Sequence, residues 1–369
     1  MNNQVKNIGI FSYDFFPSIG GQGRHLYEIY KRISHNQKYR IFVFSPSNNK
    51  FEKHIQIFKR TQNYFFGNIL FSILLNFRIN KIIKKYKIDL VHLHGGPGGI
   101  FLFTRLKIPV IYTAHHTYYQ QYKYIKSEFW KIIFKPFENY GYHLSKKIIC
   151  VSKSTKNILI QYYNIESNKI SVIPNGIDKN KFFNTNKGKI NNTIFFVGRL
   201  DKRKGIDFLI KTIPVVKTKI NNIKLYIAGT GKYYLKLNKF VLNNNLSKNV
   251  FFLGKISDKE LLDWYNKVQI IIIPSVFEGF GITAIESMAC GTPIISTNTD
   301  GLSDLIINNS NGILVEYNNV DNLSEKIINL LQNPPLRNKL SNNGIKFSKQ
   351  FYWQEIAKKT FNFYGEAFE

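Results

Sequence analysis

The sequence predicts an α/β fold in which two Rossmann-like domains, each a parallel sheet covered by helices, face a central cleft. Three observations support this prediction. Short apolar runs typical of buried strands alternate with helical stretches along all 369 residues. The alternation pauses once, at the polar residues 184–192, and then starts again. The chain is too long for one ordinary hydrophobic core but suits two.

The elements follow one another in the order that such domains require. In the first half we predict a helix at residues 24–34 and strands at residues 7–13, 40–44, 90–94, 109–113 and 147–152. In the second half we predict strands at residues 193–198, 224–228, 250–253, 270–273 and 293–296, with an aromatic, amphipathic helix at 350–368. The predicted domains are therefore residues 1–183 and 184–350, followed by a terminal helix at 351–369. Ligands of such sheets bind at the carboxyl ends of the strands.

The composition indicates a globular protein of a reducing compartment. Hydrophobic residues make up 44% and charged residues 20% of the chain. The two cysteines, Cys150 and Cys290, are expected to be buried thiols, which suits the cytoplasm. No signal peptide is recognisable, and the longest apolar stretch, at residues 69–75, is shorter than the ~20 residues of a membrane-spanning helix.

The net charge of +29 is concentrated in the first half. Residues 1–183 carry 28 Lys and Arg against 8 Asp and Glu, or +20, and residues 184–369 carry 24 against 15, or +9. Such an excess attracts nucleic acid, anionic lipid or an anionic substrate. Compositional drift in a chain rich in Lys, Asn and Ile is the alternative explanation.

Two segments of the first half combine aromatic and basic residues. Residues 65–87 are helical in pattern, apolar first and basic later, and residues 118–135 mix aromatic residues with lysines. Such segments suit an anionic membrane surface. The alternative is that Leu70, Ile73, Leu74 and Phe77 pack on the sheet while the lysines are solvated.

The strongest motif for chemistry spans residues 274–293. A buried strand ends at Ile273, and a loop with Gly279 and Gly281 leads into a helix. The backbone from Gly279 through Phe280 and Gly281 to Ile282 can approach a phosphate, which the positive end of a helix stabilises. Carboxylates accept hydrogen bonds from sugar diols, so Glu278 and Glu286 are candidate sugar ligands.

A second motif spans residues 196–205, where another strand ends in a basic loop. Arg199 and Lys204 are candidates for binding a diphosphate and for stabilising its charge as it departs. For Lys202 and Arg203 we favour a solvated basic loop.

Together these residues resemble the GT4-type family of retaining glycosyltransferases, which have the GT-B fold. Glu278 and Glu286 match its Glu-x7-Glu motif, the pairs Gly198-Arg199 and Lys204-Gly205 match its diphosphate loop, and residues 173–178 match its hinge signature. The resemblance covers essentially the whole chain. It implies that Glu278 orients the donor sugar, that Glu286 holds the ribose, and that the terminal helix returns to the N-terminal domain.

The same resemblance assigns roles in the first domain and in two further loops. Gly20 and Gly21 would approach the donor phosphate and the acceptor. His115 would face the transferred sugar, with His116 as the rival, whereas we interpret His92 and His94 as packing or loop-orienting residues. Gly229 would pass near the nucleotide, and Asp300 replaces a residue of a loop that often reads Gly-Gly.

The resemblance predicts transfer of a hexose or N-acetylhexosamine from a UDP- or GDP-sugar to a glycan or lipid-linked hydroxyl, with retention. The nucleotide sugar is a co-substrate, and no metal or other cofactor is expected. The predicted location is cytoplasmic, at the face of the membrane if the basic half binds it. A nucleic-acid-binding protein, an epimerase or phosphorylase on the same scaffold, and a catalytically silent scaffold are the alternatives.

Overall fold

The computed structural model describes residues 5–16, 20–33, 38–47, 53–59, 61, 64–97 and 99–369. Residues 17–19 of the predicted first loop, Ser34 at the end of the predicted first helix, and Gly98 lie outside this set. Contacts divide the chain into unit 1, Met1–Gly176 with Trp353–Glu369, and unit 2, Ile177–Tyr352.

Unit 1 contains a parallel seven-stranded sheet in the order β3-β2-β1-β4-β5-β6-β7. The strand order reverses between β1 and β4, which is where α/β sheets bind ligands. Its strands are β1 Lys6–Phe11, β2 Tyr39–Ser45, β3 His54–Gln56, β4 Leu90–Gly95, β5 Val110–Ala114, β6 Lys147–Cys150 and β7 Ile170–Val172. Its helices are α1 Gly21–Ile33, α2 Tyr64–Tyr86, α3 Tyr118–Tyr124, α4 Lys135–Leu144, α5 Lys153–Tyr163 and the terminal α12 Trp353–Phe368, with 3-10 turns at Lys126–Phe134 and Ser167–Lys169.

Unit 2 repeats this architecture with a parallel six-stranded sheet in the order β10-β9-β8-β11-β12-β13. The order reverses between β8 and β11. Its strands are β8 Thr193–Val197, β9 Lys224–Ala228, β10 Val250–Gly254, β11 Ile270–Ile273, β12 Ile294–Thr297 and β13 Ile313–Val315. Its helices are α6 Ile206–Lys217, α7 Tyr234–Asn243, α8 Asp258–Lys267, α9 Ile282–Ala289, α10 Val320–Gln332 and α11 Pro334–Ser348, with 3-10 turns at Lys202–Lys204 and Lys349–Phe351.

The terminal helix α12 belongs to unit 1, as the resemblance implied. It packs against α1 and contributes Trp353, Ile356 and Tyr364 to the same core as Ile8 of β1. The polar segment 184–192, where we placed the linker, is held by unit 2, since Thr185 N donates to Asn266 Oδ1 (2.8 Å) and Ile190 N donates to Lys267 O (2.7 Å). The boundary between the two units lies earlier in the chain than this segment, between Gly176 and Ile177.

Helix α2 covers the sheet of unit 1 with one face and leaves a second apolar face exposed. Phe71, Leu75 and Ile79 are in the core, whereas Leu70, Ile73 and Phe77 are exposed. The alternative in which these residues pack on the sheet is therefore wrong for Leu70, Ile73 and Phe77. They lie on a different side of α2 from Phe71, Leu75 and Ile79, and it is the latter set that enters the core. Among the described helices, α2 is the one long and apolar enough to cross a membrane by length and composition.

Cys150 and Cys290 are free and buried, as predicted. Burial raises the pKa of both thiols, that of Cys290 to about 12. Neither cysteine is therefore a thiolate nucleophile at neutral pH.

Candidate functional site

In unit 2, four loops follow the adjacent strands β9, β8, β11 and β12 at the carboxyl edge of the sheet. Close backbone contacts join them. Val276 N donates to Arg203 O (2.8 Å), and Leu200 N donates to Thr230 O (2.9 Å). The loops that carry the predicted diphosphate and sugar ligands thus form one bonded layer beside the point where strand order reverses.

Glycines permit this close approach. Gly205 has φ +63, and a Cβ there would lie 1.9 Å from Pro274 O. Gly301 has φ +82, and a Cβ would lie 2.6 Å from Glu278 O. A side chain at either position would push apart the loops that surround Glu278.

The carboxylate of Glu278 is the centre of the polar contacts in this layer. Its Oε1 accepts hydrogen bonds from Lys204 Nζ and from Ser275 Oγ, the latter over 2.9 Å. Arg203 Nη1 lies 3.9 Å from Oε2. Oε2 is therefore the less engaged oxygen, and it can accept hydrogen bonds from a ligand.

The cations keep Glu278 ionised. Burial acts to raise the pKa of Glu278, but Lys204, Arg203 and the hydrogen bonds from Lys204 and Ser275 outweigh it and set the pKa at about 2. Burial lowers the pKa of Lys204, and Glu278 opposes that effect. At neutral pH this carboxylate is therefore an acceptor of hydrogen bonds.

Arg203 is a residue whose contacts the sequence did not reveal. We interpreted it as part of a solvated loop, but its side chain is 22% exposed and its Nη1 donates to Phe277 O (3.3 Å). That interpretation is wrong for Arg203, because the loops after β8 and β11 are bonded to each other. Lys202 is exposed, as expected.

Arg199 lies in a different environment from Lys204. Its side chain is 72% exposed, and its Nε lies 3.6 Å from Asp201 Oδ2. The guanidinium therefore faces solvent, where an incoming anion can reach it. Its role as a diphosphate ligand stays a prediction.

Glu286, the second carboxylate of the motif, is buried in the second turn of α9. Tyr265 Oη donates to its Oε2 over 3.0 Å. This bond ties α9 to the end of α8. Whether Glu286 also holds a ribose stays a prediction.

The remaining predicted ligands of unit 2 lie on backbone at strand ends. Helix α9 begins at Ile282 after Gly281, whose φ is +103. The first amides of a helix lack a carbonyl partner inside the helix, but that of Ala284 already donates to Gly281 O (2.9 Å). Gly279 and Phe280 precede it, and the Gly301 contact fixes their backbone. Gly229, with φ +128, donates its N–H to Gly254 O (2.7 Å).

In unit 1 the start of α1 is held by a carboxylate. Asp14 Oδ2 accepts from Gly20 N (3.0 Å) and from Gly23 N (3.2 Å). Gly20 and Gly21 are exposed, so a ligand can approach this turn, although the amides of Gly20 and Gly23 already have an anionic partner. The sequence motif did not reveal Asp14.

His115 follows β5 and lies in a group of buried histidines. Its Nε2 is 3.0 Å from Nδ1 of His94. His116 O lies 2.3 Å from the position of a Cβ on Gly96, so the histidine segment packs closely on the loop after β4. His94 is thus in direct contact with the residue predicted to face the sugar. Within the described residues, no group of three or more His, Cys, Asp or Glu could hold a metal ion.

Comparison with known proteins shows the family to which this chain belongs. The profile of the glycosyl transferases group 1 matches residues 177–347, and that of glycosyltransferase family 4 matches residues 19–181. The chain is 36% identical over 359 residues to an uncharacterized glycosyltransferase of Methanocaldococcus jannaschii, covering 95% of this chain and 96% of the relative.

Two further relatives have more specific names. The phosphatidylinositol N-acetylglucosaminyltransferase GPI3 subunit of Saccharomyces cerevisiae is 24% identical over 386 residues, covering 97% of this chain and 82% of the relative. The capsular polysaccharide biosynthesis glycosyltransferase CapM of Staphylococcus aureus is 31% identical over 242 residues, covering 60% and 62%.

Solved structures share the fold. Sucrose-phosphate synthase of Thermosynechococcus elongatus superposes with a TM-score of 0.82 at 20% identity, covering 98% of this chain and 99% of that one. Anabaena HepE in complex with UDP and glucose superposes with a TM-score of 0.73 at 17% identity, covering 98% and 100%.

The two parallel sheets and the loops at their strand ends therefore define a GT-B glycosyltransferase, an enzyme that transfers sugars from nucleotide diphosphate sugars. The chain belongs to the glycosyl transferases group 1, family GT4.

Proposed function

We propose that the chain is a retaining enzyme that moves a hexose or N-acetylhexosamine from a UDP- or GDP-sugar to a hydroxyl of a glycan or lipid-linked acceptor. The product would enter a polysaccharide, a glycolipid or a cell-surface glycan. The observation that carries the proposal is the ionised Glu278 carboxylate, held by Lys204 and Ser275 with its Oε2 less engaged. An acceptor of this kind binds the hydroxyls of a sugar.

The residues support the following transfer. Glu278 Oε2 accepts hydrogen bonds from hydroxyls of the donor sugar and fixes its orientation. The bond from the anomeric carbon to the diphosphate oxygen breaks, and Arg199, Lys204 and the start of α9 stabilise the negative charge that forms. The acceptor oxygen bonds to the same face of that carbon, and its proton passes to the departing phosphate oxygen. The products are the glycoside and the nucleoside diphosphate.

The proposed donor and acceptor classes are supported by relatives as well as by the site. HepE was crystallised with UDP and glucose, which supports a uridine nucleotide. The name of the yeast GPI3 subunit includes an N-acetylglucosaminyl group and phosphatidylinositol, which supports an aminosugar and a lipid-linked acceptor. The name of CapM supports a polysaccharide product.

A donor screen tests this proposal. Thermal shift and donor hydrolysis are measured with a set of uridine and guanosine diphosphate sugars, for the wild type, Glu278→Ala and Arg199→Ala, with Lys202→Ala as the control. We expect one donor class to stabilise and be hydrolysed by the wild type and the control, and hydrolysis to be lost in Glu278→Ala. Stabilisation by none of these donors would contradict the proposal, as would an inverted anomeric product.

We also propose that unit 1 docks on an anionic membrane at the cytoplasmic face. The exposed apolar patch consists of large side chains that are 42–80% exposed: Phe66, Leu70, Ile73, Phe77, Phe129, Trp130, Ile133, Phe137 and Tyr140. Phe65 joins its two halves, with its ring centroid 5.2 Å from that of Trp130. Lys81, Lys84, Lys85 and Lys87 continue α2 as an exposed basic end. Apolar side chains flanked by cations match the interface of an anionic bilayer.

Flotation with liposomes that contain phosphatidylglycerol tests the docking. We expect Phe77→Glu to lose binding, because the new charge would enter the apolar layer. Leu235→Glu is a matched control, since Leu235 is 77% exposed and Phe77 is 80% exposed, but Leu235 lies on α7 of unit 2. Equal binding by Phe77→Glu and the wild type, or no wild-type binding at low salt, would contradict the docking.

A further inference from the structure

Four buried histidines meet in unit 1. His92 and His94 lie on one side of β4 because side chains alternate along a strand, His115 follows the neighbouring β5, and His25 comes from α1. The rings of His92 and His94 stack with centroids 4.8 Å apart, and those of His94 and His115 stack at 5.3 Å. The ring of His25 meets that of His115 edge-on at 5.1 Å. A row of imidazoles thus leads to His115.

These rings are neutral at physiological pH. Burial lowers the pKa of all four, that of His25 to about 4 and that of His92 to about 3. A neutral imidazole has one nitrogen that donates a hydrogen bond and one that accepts. Which nitrogen carries the hydrogen is therefore the property that determines what each ring can bind.

The hydrogen bond between His94 and His115 couples the tautomers of the two rings. His94 Nδ1 and His115 Nε2 lie 3.0 Å apart, so one of these nitrogens donates and the other accepts. If His94 Nδ1 donates, the hydrogen of His115 must be on Nδ1. If His115 Nε2 donates, the hydrogen of His94 must be on Nε2.

The surroundings of His94 Nε2 distinguish these two cases. This atom is buried, and it has no hydrogen-bond partner among the described residues. Orphaned buried N–H groups are rare in native proteins, rarer than under-satisfied acceptors. The favoured arrangement therefore leaves His94 Nε2 without hydrogen, so that His94 Nδ1 donates to His115 Nε2.

The opposite side of the His115 ring then carries the available donor. His115 is the most exposed of the four histidines, at 8% against 1–3% for the others. In the part of the chain that the structure covers, no hydrogen-bond partner is found for its Nδ1. An N–H at this position can be satisfied by a ligand.

We propose that His94 is a positioning residue that holds His115 in the tautomer with hydrogen on Nδ1, so that His115 presents an N–H donor to an oxygen of the transferred sugar. The identity of this ligand rests on the proposed function, whereas the tautomer of His115 does not depend on it.

Long-range ¹H–¹⁵N correlation spectra of the full chain with ¹⁵N-labelled histidine test the tautomer without any substrate. His115→Gln and His94→Asn assign the two rings. We expect the pattern of an Nδ1–H imidazole for His115 in the wild type and in His94→Asn, whose side-chain amide keeps a donor near the position of Nδ1. His94→Phe keeps a stacked ring but removes the N–H that donates to His115. We expect the spectrum of His115 in this variant no longer to show the single Nδ1–H tautomer. An Nε2–H pattern for His115 in the wild type would overturn the proposal.

Steady-state kinetics then test the positioning role of His94. The substrate is the nucleotide sugar that the thermal-shift and hydrolysis screen identifies. We expect His94→Phe to lower kcat/KM about 10-fold, as for loss of one oriented hydrogen bond, while His94→Asn restores most of the rate. His143→Gln is the control, because that ring is exposed on α4. Equal losses in His94→Asn and His94→Phe would overturn the role of His94.

The two proposals can fail separately. If no nucleotide sugar is turned over, the proposed function fails while the spectra still decide the tautomer. If turnover is found and His115 carries its hydrogen on Nε2, the present inference fails alone. If His94→Phe does not fold, the wild-type and His94→Asn spectra still decide it.

Discussion

At the scale of single residues, the ion pair between Glu278 and Lys204 determines what the site can bind. The two side chains are 13% and 17% exposed, so their attraction is little screened by water. Lys204 keeps the carboxylate ionised against the effect of burial, and Ser275 fixes its direction. The carboxylate is therefore charged and oriented in the absence of a ligand. If Glu278 binds the donor sugar, as we propose, this is the preorganised arrangement that transition-state stabilisation requires.

Removing Lys204 should move the acid limb of the pH profile. Burial raises the pKa of Glu278, and Lys204 and Arg203 lower it. In Lys204→Ala one of these two cations is missing, so the pKa of this carboxyl rises from about 2. The acid limb of kcat/KM then shifts to higher pH, and activity at neutral pH falls about 10²-fold. Lys202→Ala, on the same turn but exposed, should keep the wild-type profile. An unshifted limb in Lys204→Ala would show that Lys204 does not control this charge.

The sequence placed Glu278 and Lys204 in the predicted site because each lies in a recognisable loop after a strand, and the structure brings these two side chains into contact. It did not identify Arg203 or Asp14, because an arginine in a Lys-Arg-Lys run and an aspartate after a strand are typical of solvated loops. Their partners, Phe277 O and the amides of Gly20 and Gly23, are set by tertiary contacts. The contact of His94 with His115 likewise depends on the register of β4 beside β5.

At the scale of elements, the loops after β8 and β11 are packed and hydrogen-bonded together, because a glycine at the contact allows their backbones to approach closely. Gly205 ends the 3-10 turn Lys202–Lys204 in the left-handed region and leads into α6. Its Cα lies against Pro274, at the beginning of the loop that carries Glu278. The distance between the cation and the carboxylate is therefore set by backbone packing.

Gly205→Ala should destabilise unit 2. A non-glycine residue in this region of φ costs about 1–3 kcal/mol, and the added methyl would also overlap the carbonyl of Pro274. The free energy of unfolding in urea measures the effect. Gly188→Ala is the matched control, because a Cβ there meets nothing within 4 Å. Equal stabilities of the two variants would contradict this account of the loop contact.

Longer elements were predicted well from the sequence, and the shortest were not. Strands β8, β9 and β11 follow the predicted apolar runs closely. Strands β3, β7 and β13 have three residues each, too few for a period of two to be visible. The second apolar face of α2 was not resolved either, because a helix that is apolar on two sides has no clear amphipathic pattern.

At the scale of the whole molecule, the buried histidines make the stability of unit 1 depend on pH. The pKa of His25 is lowered from 6.5 to about 4, so the unfolded chain binds more protons than the folded one between these values. Stability is therefore lost as the pH falls below about 6.5, by about 3 kcal/mol for His25 alone. Burial raises the pKa of Glu138 from 4.5 to about 7, which acts in the opposite sense. The loss of stability from the four histidines on acidification is larger than the gain from this one carboxyl, so unit 1 becomes less stable as the pH falls.

Thermal unfolding at pH 7 and at pH 5 should show this loss. We expect a lower Tm at pH 5, and a smaller decrease in His92→Asn, which removes one of the buried titrating rings. His143→Gln, which changes an exposed ring, should leave the decrease as in the wild type. A Tm that is equal at the two pH values would contradict neutral burial of the four rings.

The fold class and the return of the terminal helix to unit 1 were predictable because the alternation of elements and the family motifs extend along the chain. The division after Gly176 was not, since the polar residues 184–192 resemble a linker while their backbone is bonded to unit 2. Composition alone does not distinguish a linker from a polar segment that is bonded to the surface of a domain.

The most direct test of the central claim is whether Glu278 acts on the sugar rather than on the nucleotide. Kd for the free nucleoside diphosphate and kcat/KM for the nucleotide sugar are measured for the wild type and for Glu278→Gln, which keeps the shape but removes the charge. We predict that kcat/KM falls about 10²–10³-fold while Kd changes less than about 3-fold. Wild-type turnover by Glu278→Gln, or an equal loss of free nucleotide binding, would contradict the account.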